Sequence, residues 1–276
     1  MASRSVDELA AWLRAGRVAV LTGAGCSTES GIPDYRGPET RARARNPIQH
    51  RDFVGNEATR RRYWARSAIG WPRMAGARPN AAHRAIAELE AAGRLTGLIT
   101  QNVDRLHHKA GSRDVLELHG ALADVRCLSC AAREPRDTLQ HRILELNPGL
   151  SAREAPIAPD GDAELPAPVV EGFRTPPCLA CGGVLMPDVV FFGGSVPRER
   201  VDAAFAMLDG ASALVVVGSS LTVFSGYRFV LRARDRRIPI AIVNRGETRG
   251  DPYAALRIDA MVGEVLPIVC AQAVGS

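Results

Sequence analysis

The feature that most constrains the fold is a series of short apolar runs rich in β-branched residues, each of strand length. The clearest runs are residues 18–21, Leu95–Thr100, 214–217 and 238–243. A polar or glycine-containing segment follows each run, and stretches with helical spacing separate them. Continuous apolar strands that alternate with helices are typical of a parallel sheet buried on both faces. The sequence therefore predicts an α/β fold with a Rossmann-like parallel sheet and helices on both faces.

The rest of the chain adds further predicted elements. A helix is predicted to begin at Ser5, with Glu8 completing a capping box, and to end at Gly16. Helices are also predicted at 81–92 and 263–271, and short strands at 115–118 and 189–192. The Arg-rich segment 37–79 is expected to form inserted helices and loops, and the proline-rich second half of 131–177 a long loop.

A glycine turn, Gly23-Ala24-Gly25, follows the first strand and precedes a probable helix start. Backbone N–H groups in such a turn suit a pyrophosphate. The pattern departs from the dehydrogenase fingerprint, because Thr28 stands at the third glycine position and an Arg-rich stretch replaces the expected acid. A nucleotide therefore fits this turn, whereas ordinary hydride-transfer geometry does not. The alternative is a plain strand-to-helix turn.

Two C-x-x-C pairs, Cys127/Cys130 and Cys178/Cys181, predict a structural zinc site. Four thiolates fill a tetrahedral ion, so such a metal stabilises the fold and leaves no open position for catalysis. A redox pair or free thiols is the alternative. The remaining cysteines, Cys26 and Cys270, are expected to serve packing.

Polar residues at the predicted strand ends are candidates for chemistry. His119 lies between a short strand and Gly120, and Asn102 and Asp104 follow another strand. The alternatives are a structural histidine and turn capping by Asn and Asp. The neighbouring His107 and His108 are expected to be structural, because adjacent residues on a helix do not face the same way.

Composition excludes several classes of protein. Of 276 residues, 46% are hydrophobic and 24% are charged, which suits a large buried core rather than disorder. No apolar run approaches the roughly 20 residues of a membrane span, and no secretory signal is visible, so a cytoplasmic protein without membrane partners is expected. The net charge of +5 comes from Arg interspersed with acids, so nucleic acid is not expected as a partner.

Taken in order, the motifs resemble the sirtuin family of NAD-dependent protein deacylases over nearly the whole chain. They are GAGCSTESGIPDYRG (23–37), TQNVDRLHHKAG (100–111), ELHG (117–120), the two cysteine pairs, PDVVFFGG (187–194), GSS (218–220) and VNRG (243–246). Within the family the chain is similar to class II, the branch with the mitochondrial fourth sirtuin. That similarity is carried by GIPDYRG, by RRYWARS followed by GWP, by APDGD and by GSSLTVFSGYRF.

The resemblance implies that NAD is a consumed co-substrate and that one zinc ion is structural. It assigns cofactor binding to Gly23, Ala24, Gly25, Ser27, Ile32, Asp34, Tyr35, Arg36, Gln101, Asn102, Asp104, Gly218, Ser219, Ser220, Asn244, Arg245, Gly246 and Val262. His119, with Asn102 and Asp104, would be catalytic. The implied reaction moves the acyl group of a lysine onto ADP-ribose, with His119 as the general base that activates a ribose hydroxyl.

The resemblance also implies a substrate of acylated-lysine proteins or peptides. The strand from Val189 to Gly194 would pair with the peptide through Val190, Phe191, Phe192 and Gly193, with Phe191 or Phe192 lining the acyl-lysine tunnel. Tyr63 and Arg66 have the spacing by which one sirtuin branch recognises acidic acyl groups; the alternative is a structural role for both. Tyr35 and Gly194 depart from the family pattern, where Phe and an acid are usual.

The expected domains are an NAD-binding domain (1–36, 84–124 and 188–276), a helical insert (37–83) and a zinc-binding module with a long loop (125–187). Two other functions are alternatives, and the first of them would use the same pocket. One is a protein mono-ADP-ribosyltransferase, and the other is a non-catalytic NAD-binding or zinc scaffold. The presence of His119, Asn102 and Asp104 speaks against the scaffold.

Overall fold

The computed structural model of the chain describes residues 2–34, 47–150 and 165–275. Its helices are α1 (Ala2–Ala15), α2 (His50–Gly55), α3 (Glu57–Gly76), α4 (Ala81–Ala91), α5 (Leu106–Lys109), α6 (Arg136–Leu146), α7 (Ala167–Glu171), α8 (Arg198–Asp209), α9 (Phe224–Asp235) and α10 (Val262–Val274). Its strands are β1 (Val18–Thr22), β2 (Leu95–Thr100), β3 (Val115–Glu117), β4 (Gly120–Cys127), β5 (Arg133–Pro135), β6 (Leu185–Val189), β7 (Ala213–Val217), β8 (Ile240–Val243) and β9 (Leu256–Ile258).

These elements fall into two units. The first, here called the sheet unit, comprises Met1–Asp34, Arg78–His119 and Val196–Ser276. The second, here called the cysteine unit, comprises Tyr35–Ala77 and Gly120–Ser195. None of the helices in the described ranges has the length and apolar character that a membrane crossing requires.

The sheet unit contains a six-stranded sheet in the order β3-β2-β1-β7-β8-β9, and every pairing in it is parallel. Its two faces are covered by different helices because side chains alternate along each strand. Val18 and Val20 of β1 pack in a core with α1, α4 and α10, whereas Ala19 and Leu21 pack in a second core with α8 and α9. The predicted α/β fold with a doubly covered parallel sheet is confirmed.

The cysteine unit has a three-stranded antiparallel sheet in the order β5-β4-β6. Its core is aromatic, with Phe53 and Trp64 both fully buried. The Nε1–H of Trp64 donates to the carbonyl oxygen of Leu185 at 3.3 Å, which attaches α3 to β6. The predicted helices in segment 37–79 are confirmed as α2 and α3 where that segment is described.

The predicted strand at 189–192 is wrong. Strand β6 ends at Val189, because its register is set by pairing with β4, where Cys127 opposes Leu185 and Gly120 opposes Val189. The sequence then turns at Gly193, whose φ of 74° lies in the left-handed region. Pro187 is tolerated within β6 because that strand lies at an edge of its sheet.

Two smaller expectations also fail. Helix α1 begins at Ala2 instead of Ser5, so Glu8 is not in its first turn. The glycine turn leads into two short 3₁₀ turns, Ala24–Cys26 and Thr28–Ser30, instead of an α-helix. The helix end at Gly16 is confirmed by its φ of 78°.

Candidate active site and metal centre

The loops that follow β1, β2, β7 and β8 are bonded to one another at the carboxyl edge of the parallel sheet. The backbone N–H of Gly23 donates to Val217 O at 3.0 Å, and that of Gly25 to Gly218 O at 2.8 Å. The N–H of Gly218 in turn donates to Val243 O at 2.9 Å. The edge predicted to bind a ligand is therefore a connected set of backbone groups.

The glycines of the first loop are required by this close approach. A Cβ atom at Gly23 would lie 2.7 Å from Cβ of Ser219, and one at Gly25 would lie 2.9 Å from the carbonyl oxygen of Gly218. Side chains at either position would push the loops after β1 and β7 apart. The glycine pattern thus keeps two strand ends in contact.

Ser27, Asn102 and Asp104 form one buried network beneath the turn. The Ser27 hydroxyl donates to Oδ2 of Asp104 at 2.7 Å, and Nδ2 of Asn102 donates to Oγ of Ser27 and to Gly23 O, each at 3.0 Å. The backbone N–H of Leu106 donates to the other Asp104 oxygen at 2.9 Å. The structure therefore brings together three residues that lie 75 and 77 positions apart in sequence.

His119 is held in one tautomer by Gln101. Its Nδ1 lies 2.8 Å from the Gln101 carbonyl oxygen, which can only accept a hydrogen bond. Nδ1 of the neutral ring therefore carries the proton, and Nε2 carries a lone pair. Nε2 lies 2.8 Å from Oγ of Ser225, whose hydroxyl is placed to donate. This arrangement is that of a general base presenting Nε2.

The electrostatic surroundings keep His119 neutral. Burial lowers the pKa of the imidazole from 6.5, because the charged ring would lose hydration, and the Gln101 carbonyl opposes this effect. The positive charges of Arg228 and Arg200 lower the pKa further. A neutral imidazole is the form that accepts a proton.

The remaining cofactor candidates occupy the same edge of the sheet unit. The side-chain amide of Gln101 donates to Ser219 Oγ at 2.8 Å and to Thr22 O at 3.2 Å. That of Asn244 donates to the carbonyl oxygens of Arg245 and Gly246 at 2.9 and 3.1 Å, and so shapes the loop after β8.

Six further predicted cofactor residues remain, of which four are described. Ser220 lies 3.0 Å from the Thr222 hydroxyl. Val262 is buried at the start of α10. Ile32 and Asp34 are half-buried in the loop after the 3₁₀ turns. Tyr35 and Arg36 lie outside the described residues.

The predicted substrate residues belong to the cysteine unit. Phe191 stacks on Phe53 with ring centroids 5.0 Å apart and meets Tyr63 edge-on at 5.4 Å. Tyr63 is only 6% exposed, so its ring is part of this aromatic cluster. Arg66, one turn further along α3, is half-buried.

The segment after β6 already uses some of its backbone groups. Phe192 O accepts from the N–H of His50 at 2.8 Å, and Phe191 O accepts from the N–H of Gly194 at 2.9 Å. Val190 and Gly193 lie on either side of these two residues. The segment is thus an ordered turn that follows an edge strand.

The two C-x-x-C pairs meet in the cysteine unit. Sγ of Cys127 lies 3.5 Å from that of Cys181, and Sγ of Cys130 lies 3.8 Å from that of Cys178. All four sulfurs lie within 4.8 Å of one another. Since Zn–S bonds are about 2.3 Å long, a tetrahedral site has sulfurs about 3.8 Å apart, which these distances fit.

Hydrogen bonds within this cluster shift the pKa values of two thiols in opposite directions. The Gly183 amide favours the Cys181 thiolate, but hydrogen bonds with the Cys130 and Cys127 thiols outweigh it and raise the pKa of Cys181 to about 12. The backbone amides of Cys130 and Ser129 lower the pKa of Cys127 to about 6, because they stabilise its thiolate. A bound zinc ion would be held by four thiolates with no open position. The zinc prediction is therefore supported by the donor set and its geometry, and the site is structural.

Sequence reasoning missed several residues that contact this machinery. Ser225 and Arg228, both on α9, act on His119 although they follow it by more than a hundred positions. His83 at the start of α4 and His107 on α5 have ring centroids 4.7 Å apart and ring planes tilted by 56°. No periodicity or spacing in the sequence links these residues, because the contacts are made only when the helices pack.

Comparison with known proteins shows one matching family and several relatives that are about half identical to this chain. A family model described as "Sir2 family" matches residues 23–225. The NAD-dependent protein deacetylase of Xanthomonas axonopodis pv. citri is 53% identical over 250 residues, which cover 91% of this chain and 85% of that protein. The NAD-dependent protein deacylase Sirt4 of Drosophila melanogaster is 51% identical over 253 residues, covering 91% and 81%.

A mammalian relative and a solved structure are similar to this chain over nearly its whole length. The mitochondrial NAD-dependent protein lipoamidase sirtuin-4 of Bos taurus is 50% identical over 256 residues, covering 92% of this chain and 81% of that protein. A solved complex of a Sir2 protein with a p53 peptide and NAD⁺ superposes with a TM-score of 0.77 at 31% identity, covering 98% of both chains.

Proposed function

The chain belongs to the Sir2 family and is an NAD-dependent protein deacylase, and from this premise we propose which of its residues carry out the reaction. The enzyme transfers the acyl group of a lysine to ADP-ribose and releases nicotinamide. The relatives described above are named for deacetylation, deacylation and lipoamide removal. The alternative of a protein mono-ADP-ribosyltransferase is therefore dropped.

His119 is the proposed general base, and its contact with Gln101 is the observation that carries the proposal. The 2.8 Å hydrogen bond from Nδ1 to the carbonyl leaves Nε2 as the acceptor. A pKa below 6.5 keeps the ring neutral at physiological pH, so Nε2 is ready to take the proton of a ribose hydroxyl. Ser225 orients Nε2 before the substrate arrives.

Asn102 and Asp104 are proposed to act with His119 at the nicotinamide end of the co-substrate. Both are only 9% exposed, and Ser27 connects them. Because their hydrogen bonds tie them to the loop after β1, they are rigid before a ligand binds. We assign to them the positioning of the ribose and the amide of nicotinamide.

The rest of the co-substrate is assigned to the carboxyl edge of the parallel sheet. The turn with Gly23, Ala24 and Gly25 would bind the phosphates. The residues assigned to the remaining contacts are Ile32, Asp34, Tyr35, Arg36, Gln101, Gly218, Ser219, Ser220, Asn244, Arg245, Gly246 and Val262. The sheet unit is thus the proposed NAD-binding domain, which agrees with ligand binding at the ends of parallel strands.

The cysteine unit is the proposed site of substrate recognition. Val190, Phe191, Phe192 and Gly193 form the ordered turn after β6, and we assign peptide binding to it. The aromatic ring of Phe191 would contact the acyl-lysine chain. Tyr63 is assigned a packing role because its ring contacts Phe53, Trp64 and Phe191. We therefore propose a preference for neutral over acidic acyl groups.

The family assignment and the sequence also support a proposal for the substrates and the cellular location of the enzyme. The substrates are acylated-lysine proteins or peptides, and neither nucleic acid nor a membrane is required. We propose a cytoplasmic location for this chain, as was expected from its sequence. Fractionation of the source cells with an antibody against the chain is the direct test.

The decisive experiment on function is the variant His119→Ala. Nicotinamide release from NAD and an acetylated peptide should fall by roughly 10²–10⁴-fold, the usual contribution of a general base, while zinc content stays the same. His108→Ala is the matched control, since that imidazole pairs with Glu117 at 3.4 Å and has no assigned role in catalysis. Full activity in the His119 variant would disprove the assignment.

A further inference from the structure

A second cluster of metal-ligating side chains lies in the sheet unit, apart from the four cysteines. It consists of Cys26 in the loop after β1, His83 on α4 and His107 on α5. Their ligand atoms lie within 4.8 Å of one another. The three residues are 0%, 0% and 2% exposed, so the cluster is fully enclosed.

The tautomer of His107 leaves a lone pair without a partner. The Thr22 hydroxyl donates to Thr100 Oγ1 at 2.8 Å, so Thr22 Oγ1 accepts from Nε2–H of His107 at 3.0 Å. Nδ1 of His107 then carries the lone pair, and it is buried with no hydrogen-bond partner among the described residues. A buried acceptor in that state is unfavourable, and a bound cation would remove the cost.

His83 is held in position by Asn80. The Asn80 side-chain amide donates to Cys26 O at 2.8 Å, which fixes Oδ1 of Asn80 on the side of His83. That oxygen lies 2.9 Å from Nδ1 of His83, the shorter of the two contacts that Asn80 makes with this nitrogen. The backbone N–H of Asn80 also donates to Nδ1 at 3.3 Å, so this nitrogen has both a donor and an acceptor beside it. The one hydrogen-bond contact that Nε2 makes among the described residues is 3.5 Å long.

His107 thus donates outward to oxygen and carries a lone pair on its other nitrogen, and His83 has the same arrangement when its Nδ1–H donates to Asn80 Oδ1. Histidines that bind metal nearly always have this arrangement, because the outward hydrogen bond fixes the ring and its tautomer. Burial lowers the pKa of His83 to about 4 and that of His107 well below 6.5, so both rings are neutral. Neutral imidazole is the form that a metal requires.

We propose that Cys26, His83 and His107 form a second metal site that binds Zn²⁺ through Sγ, Nε2 and Nδ1. One sulfur and two imidazole nitrogens are a common zinc donor set. The Cys26 thiol loses its proton to solvent when the Zn–S bond forms, and neither histidine has a proton to lose. Zinc bonds of about 2.0–2.3 Å require the three ligand atoms to approach one another by roughly 1 Å.

The charge of the enclosed site is balanced by Asp104. Zinc with one thiolate has a net charge of +1, which would be costly to bury alone. Burial raises the pKa of Cys26 and lowers that of His83, and the negative charge of Asp104 adds to the first effect and opposes the second. Asp104 therefore lies close to the proposed ion. The metal, thiolate and carboxylate together are neutral.

The test uses untagged full-length protein whose four-thiolate site has first been filled with zinc. Co²⁺ is then titrated, because a cobalt–thiolate bond gives a charge-transfer band in the near ultraviolet. We expect this band to saturate at one further Co²⁺ per chain, and X-ray absorption to find one sulfur and two imidazole nitrogens. Cobalt that is not retained, or that has only oxygen or nitrogen ligands, overturns the proposal.

Substitution of the proposed ligands tests whether the cobalt ion is bound at this cluster. Cys26→Ser should abolish the charge-transfer band, and His107→Ala should weaken cobalt binding at least tenfold. Cys270→Ser is the matched control, because Cys270 is also fully buried in the core of the sheet unit but belongs to no metal-ligating cluster among the described residues. A band that persists in Cys26→Ser also overturns the proposal. The X-ray absorption measurement on unchanged protein remains decisive if a variant fails to fold.

Discussion

The backbone carbonyl oxygen of Gln101 lies 2.8 Å from Nδ1 of His119. The side chain of the same glutamine donates to Ser219 Oγ and to Thr22 O. One residue at the end of β2 therefore orients the proposed base and joins the loops after β1 and β7. Any disturbance of Gln101 is expected to affect both proton transfer and binding of the co-substrate.

The first prediction concerns the pH dependence of the enzyme. Arg228 lowers the pKa of His119, because its positive charge disfavours the imidazolium. Removing that charge in Arg228→Gln should raise the pKa, so the neutral ring that catalysis requires is reached only at higher pH. The acid limb of the kcat/KM profile should lie below pH 6.5 in the unchanged enzyme and move upward in the variant.

Arg234→Gln is the control for this effect. Arg234 lies on the same helix, pairs with Asp235 at 2.7 Å and is not among the charges that act on His119. The substitution Arg234→Gln should leave the acid limb of the kcat/KM profile at the same pH. A profile that is unmoved in Arg228→Gln, or moved to lower pH, would contradict the role of His119 as the base.

The second prediction is steric. A Cβ atom at Gly226, on α9, would lie 2.6 Å from Cδ of Gln101. Gly226→Ala should displace the glutamine side chain and raise KM for NAD between about fivefold and a hundredfold, the equivalent of roughly 1–3 kcal/mol of overpacking. Steady-state kinetics with NAD as the varied substrate measures this.

The matched control is Gly210→Ala at the end of α8. There a new Cβ would come no closer than 3.6 Å to its neighbours, which is ordinary contact. KM for NAD should then stay within about twofold of the unchanged value. Equal effects of the two substitutions would show that Gln101 does not line the NAD site.

The third prediction concerns the four-thiolate site. Cys178→Ser should lower the zinc content by one ion per chain and destabilise the cysteine unit, because the energy of metal binding is part of its folding energy. Elemental analysis and urea unfolding followed by near-ultraviolet circular dichroism measure the two effects. Zinc content unchanged in this variant would refute the site. Cys270→Ser should keep that zinc ion.

The fourth prediction tests acyl preference. Tyr63→Phe keeps the ring that packs against Phe53 and Phe191, so the ratio of rates on succinylated and acetylated peptides should change by no more than about twofold. Tyr63→Ala should lower the free energy of unfolding by roughly 3–5 kcal/mol, since it opens a cavity. Selective loss of activity on the succinylated peptide in Tyr63→Phe would show that the hydroxyl recognises acidic acyl groups.

The parallel sheet was predictable because local sequence determines it. Strands such as β7 are apolar at every position, and a continuous apolar run of that length has few alternatives to a doubly covered strand. The polar residues at strand ends were found for the same reason. Gln101 and Asn102 directly follow β2, so their position is decided by the strand that precedes them.

Features that depend on packing between distant segments were not predictable. The wrong strand at 189–192 has the right composition, but pairing with β4 decides where β6 ends. The contact of Ser225 with His119 joins residues 106 positions apart. The cluster of Cys26, His83 and His107 depends on three segments that come together only in the folded sheet unit.

The strand order of the parallel sheet has a consequence for how this enzyme diversifies. Strands β1 to β3 extend the sheet in one direction and β7 to β9 in the other. Residues 120–195 interrupt the connection between these halves, and residues 35–77 form an earlier interruption. Exchange of either insertion between homologous chains would alter no pairing in the sheet, so the proposed target-recognition module can be replaced while the proposed nucleotide-binding framework is inherited unchanged.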